Sequence, residues 1–435
     1  MNQSHLSLFL SIIFLNFLSF LTYGIPVAYF PNVAKNRGIS AIVVGIIFSM
    51  YPLGAFFSGF LVGKMLNIWD RKKVIIYSQI IMGLSIIIFG LASLLPMNFF
   101  FVTLALITRT SQGGSLGAYQ TAAYAYVPEY WPDEIDLRVG LLEMTVGFGI
   151  GAGPLIGALI YGVLGYLSIF IGPGVIIACI GSVVGYFILP PNRKREETYE
   201  ETLSIKASFR SKEMWYTFMA MVVNYIAFTL IMPELENEVV EKGGSPEKAS
   251  IIFACNQLGY ALAIAILIIS QLKNTKAIYF LALIFTIISM IIMGSDELFT
   301  VSNDFHLILL GFGLFLIGIV NAFSLIPSIS EFISILERIF PDANKNLIDN
   351  MASGIFTAAI SSAEFIGPIL GGILSDLYGF SMNCLIYAVV VMVFLIIYGW
   401  DGKGLEAFIK WIQRDGSKKE VKAIEIELLE TKLIF

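Results

Sequence analysis

Gly153-Pro154-Leu155-Ile156-Gly157 lies inside one long apolar stretch and Gly367-Pro368-Ile369-Leu370-Gly371 inside another, and each runs on to a glycine and an aromatic ring, Gly165-Tyr166 and Gly379-Phe380. A second echo repeats the first half in the second, since Ile46-Ile47-Phe48 with Leu53-Gly54 recurs as Ile251-Ile252-Phe253 with Leu258-Gly259. Both echoes are separated by nearly half the 435-residue chain. The expected architecture is an all-α membrane protein, doubled, with parallel six-helix halves that close around a central site, as in membrane carriers.

Composition sets the solvent. The chain is 57% hydrophobic and 14% charged, against roughly 25% charged in soluble domains. About 20 apolar residues cross a bilayer as helix, and twelve stretches qualify: 6–29, 41–65, 74–95, 98–126, 137–164, 167–189, 213–233, 249–271, 276–294, 306–327, 350–375 and 381–399. The first runs too long for a signal peptide and lacks a basic start, so it reads as a retained span.

Orientation follows the lysines and arginines. Of 27, four (Lys35, Arg37, Lys242, Lys248) fall on one side, Arg109 falls within a span, and the remaining 22 lie on the other side with both termini. That places the termini in the cytosol. The net charge of −5 gives no reason to expect nucleic acid. Cys179, Cys255 and Cys384 sit in three different spans, so neither disulfides nor a metal site is expected, and no cofactor-binding motif is present.

Pro190-Pro191 ends the sixth span and a charged stretch follows. The expected division is 1–190 for the N-terminal bundle, 191–212 for a cytosolic linker, 213–400 for the C-terminal bundle and 401–435 for a cytosolic tail. In the tail, Leu405, Phe408, Ile409 and Ile412 fall at helical spacing. A helix on the inner membrane surface and a solvated tail both fit this pattern.

Span 5 carries Gly147, Gly149, Gly151, Gly153 and Gly157 around Pro154, at a helix-propensity cost of roughly 1 kcal/mol per glycine against alanine. Close helix packing offsets such a cost, and the proline adds a bend. Gly149, Gly153, Pro154 and Gly157, with Gly367, Pro368, Gly371 and Gly372 in the copy, are therefore expected either to pack tightly or to form the seam on which the halves rock.

These motifs carry a resemblance. Gly-x3-Gly-Pro-x2-Gly in span 5 resembles the antiporter motif of the major facilitator superfamily, and Arg109-x2-Gln112-Gly113 resembles its intramembrane Arg-x2-Gln-Gly motif, whose arginine is associated with proton coupling. The segment Gly63-Lys64-Met65-Leu66-Asn67-Ile68-Trp69-Asp70-Arg71-Lys72-Lys73 is similar to the superfamily's loop motif, with Asn67 where an acid is usual and Asp70 where a glycine is usual. By this resemblance Asp70 is expected to supply that carboxylate from a shifted position. Within the superfamily the chain looks most like solute carrier family 18, the vesicular amine transporters, and their B1-type polyamine branch. That likeness rests on Phe30-Pro31-x2-Ala34 with Gly38 and Ser40, Leu142-Glu143, Ile326-Pro327-x3-Glu331 and Gly367-Pro368-x2-Gly371-Gly372. It implies proton-driven antiport of organic cations into acidic vesicles. The chain is expected to be a monomer in a vesicular, endomembrane or plasma membrane.

An ionisable side chain at the centre of a span costs about 2.5 to 3.5 kcal/mol, so such groups face a cavity or a partner. Arg109 lies about 16 Å along its span and must be paired or hydrated. Glu364 is equally deep, and Glu143 sits in the inner third of span 5. Burial favours a carboxyl's neutral form and a neighbouring cation its charged form. A carboxyl balanced between the two can trade a proton for a cationic substrate. Arg109, Glu364 and Glu143 are the expected coupling residues, although Glu143 also fits as a structural partner of Arg109. Gln112, Asn224, Asn256, Gln257, Asn321, Glu331 and Glu234 are the expected cavity residues, and Gly63, Asp70, Arg71 and Lys72 the expected loop contacts. Two other readings fit the sequence: a uniporter or organic-anion carrier in which Arg109 binds substrate directly, and a ligand sensor without flux. The sequence contains no nucleophile or metal constellation of an enzyme.

Overall fold

The computed structural model describes residues 3–190, 203–270, 274–299, 301–411 and 413. Twelve long helices run through them: α1 Gln3–Asn36, α2 Ala41–Met65, α3 Arg71–Leu91, α4 Asn98–Tyr124, α5 Ile135–Leu164, α6 Ser168–Ile188, α7 Lys212–Ile231, α8 Pro246–Ser270, α9 Thr275–Met293, α10 Asn303–Leu325, α11 Lys345–Tyr378 and α12 Phe380–Trp400. Among the described residues, nine candidate spans are long and apolar enough to cross a membrane by length and composition. The long helices outside that set are α4, α5 and α8. Of these, α4 buries Arg109, Gln112, Gln120 and Thr121, and in α8 the described apolar stretch is Ile251–Leu267. In α4 these inward polar residues lower the hydropathy.

Helices α1–α6 pack chiefly on one another, as do α7–α12, and the repeated phrases occupy matching places. Gly54 of α2 meets the backbone of Thr110 in α4, and Gly259 of α8 meets the backbone of Phe315 in α10. Gly165 and Gly379 end α5 and α11 at φ 79° and 84°. Only glycine adopts that backbone without strain, so the two Gly-aromatic phrases are matched helix stops.

The bundles meet most closely at one end. Gly59-x3-Gly63 of α2 faces Gly354 of α11, where an added Cβ at Gly59 or Gly63 would lie about 3 Å from α11 backbone. Small residues spaced four apart let two helix backbones approach and gain dispersion contacts without a side chain between them. This end also carries Arg71, Glu129, Glu213 and Arg338, and is called the basic face below. Residues 191–202 and 414–435, which include most of the expected linker and the end of the expected tail, lie outside the described residues. Residues 404–411 are helical, and Phe408 packs on Phe280 with ring centroids 5.4 Å apart. Ile412 lies outside the described residues.

Candidate functional site

A cavity of about 70 Å³ lies between the bundles, walled by α1, α5, α7, α8, α10 and α11. Three helices each present one face to it, at i, i+3, i+4 and i+7. From α5 come Glu143, Val146, Gly147 and Ile150; from α7 and the residue after it come Tyr225, Phe228, Thr229 and Met232; from α8 come Phe253, Asn256, Gln257 and Tyr260. Tyr23 of α1, Asn321 and Leu325 of α10, and Glu364 and Pro368 of α11 complete the wall. Among the described residues, the lining holds two carboxyls and no lysine, arginine or histidine. The space admits a few waters and is well below the roughly 300 Å³ of small ligand sites, so a substrate must widen it.

Of the residues singled out by sequence, Glu143, Glu364, Asn256, Gln257 and Asn321 reach this cavity. Gln112, Asn224, Glu331 and Glu234 are not in its wall. Gln112 accepts a hydrogen bond from Arg109 at 2.9 Å, and Asn224 accepts one from Thr286 at 2.8 Å. Glu331 lies on the short helix Ser328–Ile339 near the basic face, while Glu234 precedes the short helix Leu235–Glu241 and accepts from Asn237.

Arg109 corrects one expectation. It meets neither a carboxylate nor the cavity: it is 0% exposed, with its guanidinium 4.7 Å from the Tyr51 ring, 5.1 Å from Phe48, and 5.7 Å from Tyr23 and Phe89. Four rings offer a cation their negative faces, which together with Gln112 take the place of a counter-ion. Glu143 is accordingly no partner of Arg109. It accepts from the hydroxyl of Tyr124 at 2.5 Å. Tyr23 spans both places, lining the cavity while facing Arg109.

The glycine run packs inside the halves. A Cβ on Gly149 or Gly153 would meet the α1 backbone at Phe17 and Gly24, and one on Gly157 the Tyr29 ring. The copy does the same on α7, where Gly367 meets Thr229 and Gly371 meets the carbonyl of Leu230. Gly372 has open space beside it. Pro368 interrupts α11 at the cavity wall, and the side chain of Pro154 lies outside the described residues. Gly147 differs from its neighbours, since its missing side chain makes room for the Gln257 amide of the opposite bundle.

At the basic face Arg71 pairs with Glu129, and its guanidinium also reaches Asn350 Oδ1 of α11 at 2.6 and 3.0 Å. Asn350 then donates to Asn67 Oδ1 at 2.9 Å. The carboxylate on Arg71 is therefore Glu129, not Asp70, which caps α3 by accepting from the Lys72 amide. The Lys72 ammonium lies 5.1 Å over Tyr186. Ser330 donates to Asp136, adding a second polar bridge between bundles. The tyrosines Tyr23, Tyr225 and Tyr260 were not singled out from sequence. For Tyr225 and Tyr260 the signal was the i, i+3, i+4, i+7 spacing that sets one lining face on each of α7 and α8, masked by apolar residues on the other faces.

Comparisons with known proteins agree with this geometry. The chain is 26% identical over 421 residues to the MFS-type transporter SLC18B1 of Rattus norvegicus, covering 93% of this chain and 86% of that protein. It is 23% identical to the Homo sapiens protein of that name over 412 residues, 93% and 87% of the two chains. Multidrug resistance protein 2 of Bacillus subtilis is 24% identical over 378 residues, 83% and 87%. The crystal structure of the transporter FucP in the outward conformation shares the fold, with a TM-score of 0.64 at 18% identity over 91% of this chain and 98% of that one. Residues 12–334 match the family model described as Major Facilitator Superfamily, and with twelve helices in two bundles around one cavity the chain belongs to that superfamily of secondary transporters.

Proposed function

We propose that the protein exchanges protons for small organic cations, amines or polyamines, by alternating access. The observation that carries this reading is the charge of the cavity: Glu143 and Glu364 come from opposite bundles, and no basic side chain stands among the described lining residues. Carboxylates ringed by Tyr23, Tyr225 and Tyr260 suit an ammonium group, which gains from both charge and ring faces. Counted from the matched glycines Gly153 and Gly367, the two acids differ in depth by seven residues, about 10 Å of helix rise. That stagger suits a substrate with more than one ammonium.

The basic face is the cytosolic one on the positive-inside rule, with Arg71, Asn350 and the α2–α11 crossing as its closure. In one half-cycle a proton from the far side neutralises Glu364 and releases the cation there. Proton loss to the cytosol restores the anionic site. The protein works as a monomer in a vesicular or plasma membrane, and the names of its relatives, a multidrug resistance protein among them, fit a cargo of small organic molecules.

The test is uptake into proteoliposomes against polyamines, monoamines, sugars and organic anions, with and without an imposed pH gradient. Uphill accumulation of an amine that collapses with the gradient supports the reading. Preference for an anion, uptake indifferent to pH, or ligand-induced stabilisation without flux would each overturn it.

A further inference from the structure

The two ends of Tyr124 belong to different parts of the molecule. Its hydroxyl holds the cavity acid Glu143 at 2.5 Å, while its ring lies 5.3 Å from that of Phe356 on α11, tilted by 32°. Tyr124 and Phe356 are both fully buried. Tyr124 is also the last residue of α4: the chain bends at Ala125 and restarts as the short helix Tyr126–Tyr130, which carries the Glu129 that pairs with Arg71. Phe356 stands two residues beyond Gly354, where α11 meets α2. Between the cavity and the closure at the basic face, this pair of rings from opposite bundles forms a dry layer.

The geometry points to Tyr124 as a positioning residue that couples the occupancy of Glu143 to opening of the basic face. The inference rests on the exchange reading above. A hydroxyl donating to a carboxylate makes a charge-assisted bond, roughly twice as strong as one to a neutral acceptor. While Glu143 is charged and empty, the bond keeps the Tyr124 ring seated on Phe356 and the bundles closed. A proton or an ammonium on Glu143 weakens that hold, the ring is released, and α11 can withdraw from α4. The other titratable groups facing the pair are Tyr119 of α4, Tyr260 of α8, Tyr225 of α7 and Glu364 of α11. None of them is a cation that could hold Glu143 in place of the hydroxyl.

Tyr124→Phe deletes only the hydroxyl and keeps the ring on Phe356. Two readouts on the full chain test the link, with spermidine, or whichever amine of the panel the wild type carries fastest, as the transport probe. In proteoliposomes the pH of half-maximal uptake should move by about one unit to the alkaline side, since one hydrogen bond to the charged form is lost. In a Glu143→Gln background, Tyr124→Phe should add nothing, because the two act as one unit. Independently of transport, Ala358→Cys in a chain with Cys179, Cys255 and Cys384 replaced by alanine reports opening through alkylation from the basic side. Tyr124→Phe should speed that labelling several-fold. If Tyr124→Phe does not accumulate, Phe356→Leu withdraws the ring's support with the hydroxyl in place and should speed labelling likewise. A wild-type pH profile with unchanged labelling overturns the inference, as does a full additional loss in the Glu143→Gln background. A wild-type chain that moves no amine overturns the exchange reading instead, and the labelling arm still decides the role of Tyr124.

Discussion

Gly63 of α2 and Gly354 of α11 stand so close that a Cβ built on Gly63 would lie 2.8 Å from the Gly354 Cα. The atom in the way is backbone, which cannot rotate aside, so the crossing tolerates no side chain while the basic face is closed. Gly354→Ala would set a Cβ 2.6 Å from the Gly59 carbonyl oxygen. Overpacking of this kind costs about 1 to 3 kcal/mol, and the chain can escape it by parting the bundles at that end. The expected outcome is faster alkylation of a cysteine placed near the crossing, with slower net uptake. Gly372→Ala serves as the control, because nothing lies within 4 Å of its Cβ position.

Arg71 is the polar counterpart of that crossing. Its side chain is 4% exposed and that of Glu129 15%, so removing the arginine strands a mostly buried carboxylate and the Asn350 amide oxygen together. Breaking a buried pair from one side costs about 3 to 5 kcal/mol. Arg71→Ala should lower the melting temperature in detergent by several degrees and favour labelling from the basic side. Arg71→Lys should recover little, since a single ammonium cannot serve Glu129 and Asn350 as the planar guanidinium fork does. Full rescue by lysine would show that charge alone, not the fork, holds this end shut.

Glu364 sits three residues before Gly367, and with Pro368 it forms the part of the cavity wall that α11 supplies. Glutamine keeps its volume and hydrogen bonding and removes only the titration. Glu364→Gln should abolish uptake driven by a pH gradient while leaving counterflow of labelled against unlabelled substrate. Normal uphill transport by this variant would remove Glu364 from the exchange step.

How much of this was legible beforehand depends on what a residue answers to. The doubled architecture was, because glycine phrases answer to local geometry: Gly54 and Gly259 repeat one helix contact, Gly165 and Gly379 one helix stop. Glu143, Glu364, Asn256, Gln257 and Asn321 could be picked out as polar groups in apolar helices, since such groups need a cavity or a partner. The same logic erred for Asn224 and Gln112, whose partners are Thr286 and Arg109. A sequence shows that a buried amide must be satisfied, not whether a neighbour or a cavity satisfies it. Arg109 was harder still: its cage is built from α1, α2 and α3 through Tyr23, Tyr51, Phe48 and Phe89, and four aromatics in three apolar spans carry no mark of being a counter-ion. The pairing of Arg71 with Glu129 rather than Asp70 is a tertiary fact of the same kind.

On the face opposite the basic one, Lys242 donates to Asp296 Oδ2 at 2.8 Å and lies 3.7 Å from Glu238, tying the short helix Leu235–Glu241 to the short helix Ser295–Leu298. Partial burial is the largest single effect on Asp296 and works against its ionisation, but hydrogen bonds from Lys242 and Ser381, with the charges of His306 and Lys242, together outweigh it and hold the carboxyl below its usual range. The hydrogen bond to Asp296 holds Lys242 above the usual lysine range, against a smaller effect of burial. A carboxyl depressed on folding contributes stability above its unfolded value, near pH 4, and loses it as pH falls further; a raised lysine contributes below about pH 10 and loses it as pH rises further. The pair's contribution should therefore be flat from about pH 5 to pH 9. Lys242→Ala should cost about 1 kcal/mol across that range, with the gap from wild type closing below pH 4, as read by melting curves in detergent. A penalty that instead changes steeply between pH 5 and pH 8 would show that the Lys242–Asp296 pair does not set the stability of this end.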